Sequence, residues 1–355
     1  MNYIGREDIL MGLQQYFKDF NKKIKMDYDE LSELAEKRDI IVNKLKENAE
    51  VPAFESFNQG SYAMFTGVEP IDKDYDIDVG LKFQVNKEEN DPVKLKQKVY
   101  DALKDHTEYG AEIEKPCVTV TYKKNGDKAF HVDLAVYSYE DKDDTNSQMY
   151  LARGTYDGNK EWEEADPIKL MNDITGKYTD SSQRDQYRRI IRYMKRWKNK
   201  EFNADGHAEP PGIGITLLAY EKFEPQRYDY LESKYIFDDL EALIKFVDAI
   251  KSKFVLSSYS VDKGEWLYKI EILLPEKPGT NVFSKMTEIQ MTNFKKKIET
   301  LLEKLNEVKN ETDVIEQCTK LRKIFGDDFP VPEKEKESKS QSNFVPPSSA
   351  SGIGM

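Results

Sequence analysis

The sequence predicts an α+β protein, with a mixed α/β domain over residues 1–165 and a mostly helical domain over residues 166–332. In the first part, segments alternate apolar and polar residues as half-buried strands do. In the second part, apolar residues recur three and four positions apart, which is helical spacing. Residues 333–355 are rich in Lys, Glu, Ser and Pro, so they bury too little apolar surface to offset the entropy of ordering. We therefore expect a disordered C-terminal tail.

One helix and three strands are predicted in the first part of the chain. The helix spans residues 29–48, where leucines and isoleucines fall on one face and charged residues on the others. The alternating segments predict strands at residues 75–83, 117–122 and 128–139. Between the last two strands, the pair Asn125-Gly126 is a strong signal for a hairpin turn.

Helices dominate the predicted second part. The first begins at Pro167 and ends at Gly176, as short helices often do. The second spans residues 182–199, with Ser182 and Asp185 spaced as in a capping box and one apolar stripe along its length. Further helices are predicted at residues 238–252, 284–308 and 313–325.

Composition excludes several classes of function. The formal net charge is −12, whereas a sequence-independent nucleic-acid binder usually has a basic excess, so stable DNA binding is not expected. Two distant cysteines, Cys117 and Cys318, and three histidines provide no spacing typical of structural zinc and fit a reducing compartment. We find neither a signal-peptide pattern nor an apolar run near the roughly 20 residues of a membrane span, so we expect a cytoplasmic protein.

Three aspartates are predicted to share one polar sheet face. Residues i and i+2 of a strand point to the same side, so Asp76 and Asp78 lie on one face and the intervening apolar residues on the other. The same alternation places Asp133 on the polar face of the 128–139 strand, with His131 two residues before it. If the two strands are neighbours, three carboxylates converge, and such a cluster persists when cations occupy it or when its pKa values rise. Oxygen ligands suit Mg²⁺ or Mn²⁺, and two such ions serve in-line attack on phosphorus.

A Gly-Ser pair precedes the aspartates. Gly60 would let the backbone approach a phosphate closely, and Ser61 would offer its hydroxyl and amide to it. A single D-x-D pattern on a strand is usually only a solvated edge, and Gly-Ser alone is commonplace. The ordered combination of Gly-Ser, D-h-D-h and a later h-D-h strand, where h is an apolar residue, is the specific signal.

This combination resembles the nucleotidyltransferase superfamily that includes DNA polymerase β. Fourteen residues, 62–75, separate the Gly-Ser pair from the first aspartate, which suits the branch that makes signalling oligonucleotides. Segments 161–170, 187–198, 211–220 and 325–330 resemble, in order, segments of the bacterial cGAS/DncV-like nucleotidyltransferases. The resemblance implies a polymerase β-like core, a mixed sheet with flanking helices, followed by a helical domain that closes the nucleotide cleft.

The resemblance also implies roles for individual residues. Asp76, Asp78 and Asp133 match the catalytic, metal-binding carboxylates that hold two Mg²⁺ ions, and Gly60 and Ser61 match the phosphate-binding turn. On the 182–199 helix, Lys195 matches a lysine that contacts the triphosphate of the donor nucleotide. Thr216 stands where relatives carry a serine near the same phosphates, and its hydroxyl can also donate.

The basic stripe of the same helix is consistent with phosphate contact. Arg188, Arg192 and Lys195 follow the i, i+4, i+7 pattern of one helix face, which makes Arg192 a further candidate for nucleotide binding. A solvated basic face is the competing interpretation.

The activity implied by the resemblance is the joining of NTPs, ATP or GTP among them, into a cyclic di- or trinucleotide in anti-phage signalling. Three alternatives remain open: transfer to RNA, transfer to a protein, and a catalytically inactive nucleotide sensor. In some bacterial operons, relatives are joined through their C-terminus to other molecules by ubiquitin-transfer-like enzymes. The tail that ends S-A-S-G-I-G-M would suit such an enzyme, and a plain disordered terminus is the competing interpretation.

Overall fold

The computed structural model describes most of the chain. The described ranges are residues 6–26, 28–71, 74–124, 128–202, 209–225, 227–229, 231, 234–275 and 279–333. The predicted hairpin turn at Asn125-Gly126 and all but the first residue of the predicted tail lie outside these ranges.

A seven-stranded mixed sheet forms the first part of the molecule, which confirms the predicted fold class. Its strands are β1 (Phe54–Asn58), β2 (Asp74–Asn86), β3 (Ala111–Ile113), β4 (Val118–Lys124), β5 (Lys128–Tyr139), β6 (Met149–Arg153) and β7 (Glu161–Ala165). Five of them lie in the order β1-β2-β5-β4-β3, while β6 pairs with β5 and β7 pairs with β6. Strands β2 and β5 are parallel and the other pairs are antiparallel.

One face of the central strands is apolar and packs on helices. Helix α2 spans Tyr28–Glu47, the single turn α3 spans Gly60–Ala63, and α4 spans Pro92–Leu103. The alternate β2 residues Tyr75, Ile77 and Val79 are buried in one hydrophobic cluster with the apolar residues of α2 and α4. The period of two in the sequence therefore directs the intervening aspartates to the opposite face.

The second part of the chain is mostly helical, as predicted. Its helices are α5 (Pro167–Gly176), α6 (Ser181–Glu201), α7 (Gly212–Lys222), α8 (Asp239–Lys251), α9 (Glu288–Asn310) and α10 (Val314–Phe325). Two short hairpins, β8 (Arg227–Asp229) with β9 (Lys234–Ile236) and β10 (Val255–Ser260) with β11 (Glu265–Lys269), were not predicted.

Two helix starts differ from the sequence prediction. The residue that caps α6 is Asp180, whose carboxylate accepts from the amide of Gln183, and not Ser182. Helix α9 begins at Glu288 instead of residue 284, because Thr287 and Gln290 form a reciprocal capping box there.

An additional helix, α1 (Arg6–Ile24), packs against the helical part of the molecule. Phe17 and Phe20 of this helix are fully buried against the rings of Tyr193 and Phe329. Helix α1 therefore belongs by packing to the hydrophobic core of the helical part, and the domain boundary near residue 165 stays a prediction. Among the helices of the described ranges, none combines the length and apolar composition needed to cross a bilayer.

Candidate active site

The register between β2 and β5 brings the three aspartates to one place. Asp78 lies directly opposite Asp133, and Asp76 lies opposite His131, one step along the same face. Neighbouring strands in a sheet are separated by about 4.8 Å, so the side chains of opposed residues are close neighbours. The condition that the sequence left open, that these two strands are adjacent, is met.

The carboxylates repel one another in a partly desolvated cleft. Desolvation, followed by the charges of Asp76 and Asp133, raises the pKa of Asp78 to about 7, while Lys195 acts in the opposite direction. Desolvation and the charge of Asp133 also raise the pKa of Asp76, although this residue is exposed. A divalent cation would relieve this repulsion, and carboxylate oxygens are the ligands that Mg²⁺ and Mn²⁺ prefer.

The residues present fit a divalent cation in their chemistry, but their side chains are not gathered around one point. Within the described ranges, no group of three His, Cys, Asp or Glu side chains forms a ready-made metal-binding set. Asp133 Oδ1 accepts a hydrogen bond of 2.6 Å from Thr119 Oγ1. The two-ion role of the aspartates stays a prediction.

The first residue of the Gly-Ser turn packs directly against Asp78. Helix α3 begins at Gly60, whose φ of +67° lies in the left-handed region that glycine adopts readily. A Cβ added to Gly60 would lie 1.8 Å from Asp78 Oδ2, and the amide of the preceding Gln59 donates to the Asp78 carbonyl at 3.0 Å. The structure therefore places Gly60, at the start of this turn, beside Asp78, and the phosphate contacts of Gly60 and Ser61 stay a prediction.

Lys195 lies on the α6 face that is turned to this site. It is 8% exposed, and its Nζ donates to Thr66 Oγ1 at 3.1 Å and to the Thr66 carbonyl at 3.3 Å. Burial lowers the pKa of Lys195 to about 7, assisted by Lys198 and Arg192, while Asp76 and Asp78 counteract the shift. The amine is thus within electrostatic range of the aspartates, and its contact with a nucleotide stays a prediction.

Arg192 donates hydrogen bonds to two distant segments of the protein. Its guanidinium donates to Asn21 Oδ1 at 2.9 Å and to the Phe65 carbonyl at 2.6 Å, and only 6% of the residue is exposed. It also lines a cavity of about 590 Å³ with Arg188, whose guanidinium lies 4.5 Å from the centre of the Phe65 ring. None of the three aspartates lines this cavity. The predicted contact between Arg192 and nucleotide is untested, and the contacts seen are those of a structural brace.

Thr216 is fully buried in α7. Its hydroxyl donates to the Gly212 carbonyl, one helical turn earlier, at 3.2 Å. The N-terminus of α7 lies near Lys195, because a Cβ added to Gly212 would be 3.9 Å from Lys195 Cε. No described contact joins Thr216 to the aspartates, so its role beside phosphate also stays a prediction.

Two residues near the aspartates were missed by sequence reasoning. Thr119 of β4 contacts Asp133, and Thr66 contacts Lys195. The alternation of the segment C-V-T-V-T-Y already indicated that Thr119 shares a face with Cys117 and Thr121, but only the strand register pairs it with Asp133. His131 occupies the next position on this face, 2.9 Å from Asp74 Oδ1 through Nε2.

Comparisons with known proteins agree with this geometry. Residues 54–137, which contain the Gly-Ser turn and all three aspartates, match the family described as cyclic GMP-AMP synthase DncV-like, nucleotidyltransferase domain. A curated cyclic GMP-AMP synthase from Escherichia albertii is 29% identical over 170 residues, which cover 45% of this chain and 35% of that relative. The match therefore spans about a third of the length of the curated relative.

Solved structures share the fold over most of the chain. The CD-NTase CdnG of Bradyrhizobium diazoefficiens, in complex with GTP, has a TM-score of 0.66 at 13% identity and covers 89% of this chain and 95% of its own. The cyclic AMP-GMP synthase DncV of Vibrio cholerae has a TM-score of 0.58 at 16% identity, with coverage of 92% and 89%. Another DncV structure holds the linear intermediate 5′ pppA(3′,5′)pG, with a TM-score of 0.59 at 16% identity and coverage of 92% and 88%.

The matching domain includes the strands that carry the aspartates, and the similar fold extends through the helical part. Residues 54–137 are therefore similar to the nucleotidyltransferase domain of the cyclic GMP-AMP synthase DncV-like family, and the chain shares the fold of the CD-NTase structures.

Proposed function

We propose that this protein joins NTPs, ATP or GTP among them, into a cyclic di- or trinucleotide second messenger and releases pyrophosphate. The observation that carries the proposal is the meeting of Asp76, Asp78 and Asp133 on one sheet face beside the Gly60-Ser61 turn. The similarity of residues 54–137 to the nucleotidyltransferase domain of cyclic GMP-AMP synthase DncV-like proteins supports the cyclic product. A role in anti-phage signalling in the bacterial cytoplasm follows as part of the same proposal.

In the proposed reaction, a ribose hydroxyl of one nucleotide attacks the α-phosphorus of another. The new bond joins that oxygen to phosphorus and the hydroxyl proton is released to solvent. The bond between the α-phosphorus and its bridging oxygen to the β-phosphate breaks, and pyrophosphate leaves. A bound pair of Mg²⁺ or Mn²⁺ ions would supply charge neutralisation and a more acidic hydroxyl at this site. Repetition of the step on the linear product closes the ring.

The protein groups have distinct tasks in this reaction. Asp76, Asp78 and Asp133 would hold the cations beside the α-phosphate. Gly60 leaves the space in which the turn approaches Asp78 and would approach the triphosphate, and Ser61 would donate to the phosphates. The buried Lys195 would place one positive charge near the same phosphates when it leaves Thr66.

The test is incubation of the purified protein with each NTP and with mixtures, in Mg²⁺ and in Mn²⁺, followed by mass spectrometry. We expect a phosphatase-resistant product whose mass is that of two or three nucleotides without terminal phosphates. Label transferred to added RNA or to protein would support an acceptor other than NTP, and NTP binding without turnover at high enzyme concentration would support a sensor. Loss of product in Asp76→Asn, with an unchanged circular dichroism spectrum, would assign the product to this site.

The C-terminal tail carries a second, separable proposal. We propose that a ubiquitin-transfer-like enzyme joins the protein through its C-terminus to another molecule, as the resemblance implies. Mass spectrometry of the protein expressed with such partner enzymes tests this directly, and an unmodified terminus under those conditions contradicts it.

A further inference from the structure

A hydroxyl group supports the third carboxylate of the candidate site. Strands β4 and β5 are antiparallel, and their register places Thr119 directly opposite Asp133. Thr119 Oγ1 donates to Asp133 Oδ1 at 2.6 Å, which is a short hydrogen bond. Both side chains are half-buried, so water competes with this bond only partly.

The hydrogen-bond direction at Thr119 is set by its surroundings. Thr119 donates its single hydroxyl proton to Asp133 Oδ1. Cys117 Sγ lies 3.5 Å from the same hydroxyl oxygen, which is then free to accept from the thiol. The hydrogen bonds that link Cys117, Thr119 and Asp133 therefore all point in one direction, and the last one ends at one oxygen of the Asp133 carboxylate.

This bond restrains a carboxylate that its neighbours repel. Asp78 lies opposite Asp133 on the other side, and Asp76 is one step further along the face. Without a cation, the three negative charges favour rotation of the side chains away from one another. A bond from Thr119 to Oδ1 opposes that rotation and leaves Oδ2 as the oxygen available to a ligand.

We propose that Thr119 is a positioning residue that holds Asp133 in the orientation needed to bind the divalent cation. This inference rests on the proposed metal-dependent nucleotidyltransferase function and names a residue outside the predicted site. The proposed role requires the hydroxyl group of Thr119. Valine has nearly the same shape and is also favoured in strands, so Thr119→Val removes the hydroxyl and little else.

The chain offers a matched control two residues away. Thr121 lies on the same strand and face, and its hydroxyl is 3.1 Å from His131 Nδ1 instead of an aspartate of the site. Thr119→Val and Thr121→Val each remove one hydroxyl from β4 without changing the shape of the side chain. A general effect of losing a hydroxyl from this sheet would appear in both variants.

The experiment measures Mn²⁺ binding by electron paramagnetic resonance, in the presence of a non-hydrolysable NTP analogue, for full-length proteins. We expect Thr119→Val to weaken Mn²⁺ binding about 10- to 100-fold, as removal of an outer partner of a metal ligand commonly does. Thr119→Ser should bind within about threefold of wild type, and so should Thr121→Val. The Mg²⁺ concentration for half-maximal turnover should rise in parallel for Thr119→Val.

The outcomes separate this inference from the proposed function. If wild type binds Mn²⁺ and Asp78→Asn does not, but Thr119→Val binds as wild type does, the positioning role is wrong and the active site stands. If wild type shows no Asp78-dependent Mn²⁺ binding, the proposed function itself fails. Should Thr119→Val not fold, Thr119→Ala compared with Thr119→Ser answers the same question, since only the serine variant keeps the hydroxyl.

Discussion

The substitution Gly60→Ala tests how closely the phosphate-binding turn and the aspartates fit. An alanine at this position would keep φ near +67°, which costs about 1–2 kcal/mol for a residue with a Cβ. The new methyl would also lie 1.8 Å from Asp78 Oδ2, 2.6 Å from its Cγ and 3.0 Å from its Cβ. Rotation of the carboxylate alone therefore does not remove the overlap, and either the turn or the side chain must move.

We expect Gly60→Ala to lower the free energy of unfolding by about 2–4 kcal/mol, combining backbone strain with one displaced side chain. A displacement of about 1 Å at reacting groups costs roughly 100-fold in rate, so kcat/KM should fall by at least that factor. Urea unfolding measures the first effect, and steady-state pyrophosphate release in Mg²⁺ measures the second.

Gly12→Ala is the matched control. Gly12 lies within helix α1, and a Cβ added there would have no atom within 4 Å. Alanine should stabilise that helix by about 0.5–1 kcal/mol and leave turnover unchanged. Wild-type stability and turnover in Gly60→Ala would refute the proposed packing of the turn against Asp78.

Three further substitutions separate catalytic from structural roles. Asp78→Asn should abolish product formation. In EDTA above pH 7 it should also raise the melting temperature, because it removes the negative charge of a carboxyl group whose pKa is raised to about 7 by desolvation and by its neighbours. A lower melting temperature would contradict the repulsion among the three carboxylates. Lys195→Met should raise KM for NTP about 10- to 100-fold, the effect of losing a charge-assisted contact, and an unchanged KM in initial-rate assays would exclude phosphate contact. Lys96 is fully buried and donates to the carbonyls of Glu114, Lys115 and Gly154 at 2.8, 3.0 and 2.5 Å. Lys96→Met should therefore destabilise the protein by about 2–4 kcal/mol in urea unfolding, with normal KM for the folded fraction, whereas unchanged stability would show that these carbonyls find other partners.

The sequence predicted which residues lie on the face of the candidate site, but it did not predict which side chains those residues contact. Alternation in β2 and β5 assigns Asp76, Asp78 and Asp133 to polar faces, because a period of two is a local property. That the two strands are neighbours is a property of topology, and it followed only from the resemblance to a known family.

Long-range contacts account for what the sequence could not predict. The helical period correctly placed Arg192 and Lys195 on one face of α6, but the partners of Arg192 are 171 and 127 positions away, at Asn21 and Phe65. Likewise, the bond from Thr119 to Asp133 depends on the register of two antiparallel strands. Capping is a more local property. Even so, the residue that caps α6 is Asp180, although the spacing of Ser182 and Asp185 also fitted a capping box.

We expect the three aspartates to bind divalent cations together. The most direct measurement is anomalous diffraction from crystals grown with Mn²⁺ and a non-hydrolysable NTP analogue. We predict Mn²⁺ peaks in contact with carboxylate oxygens of Asp76, Asp78 and Asp133, with the triphosphate beside Gly60 and Ser61. A bound nucleotide whose Mn²⁺ touches none of these aspartates would contradict the account.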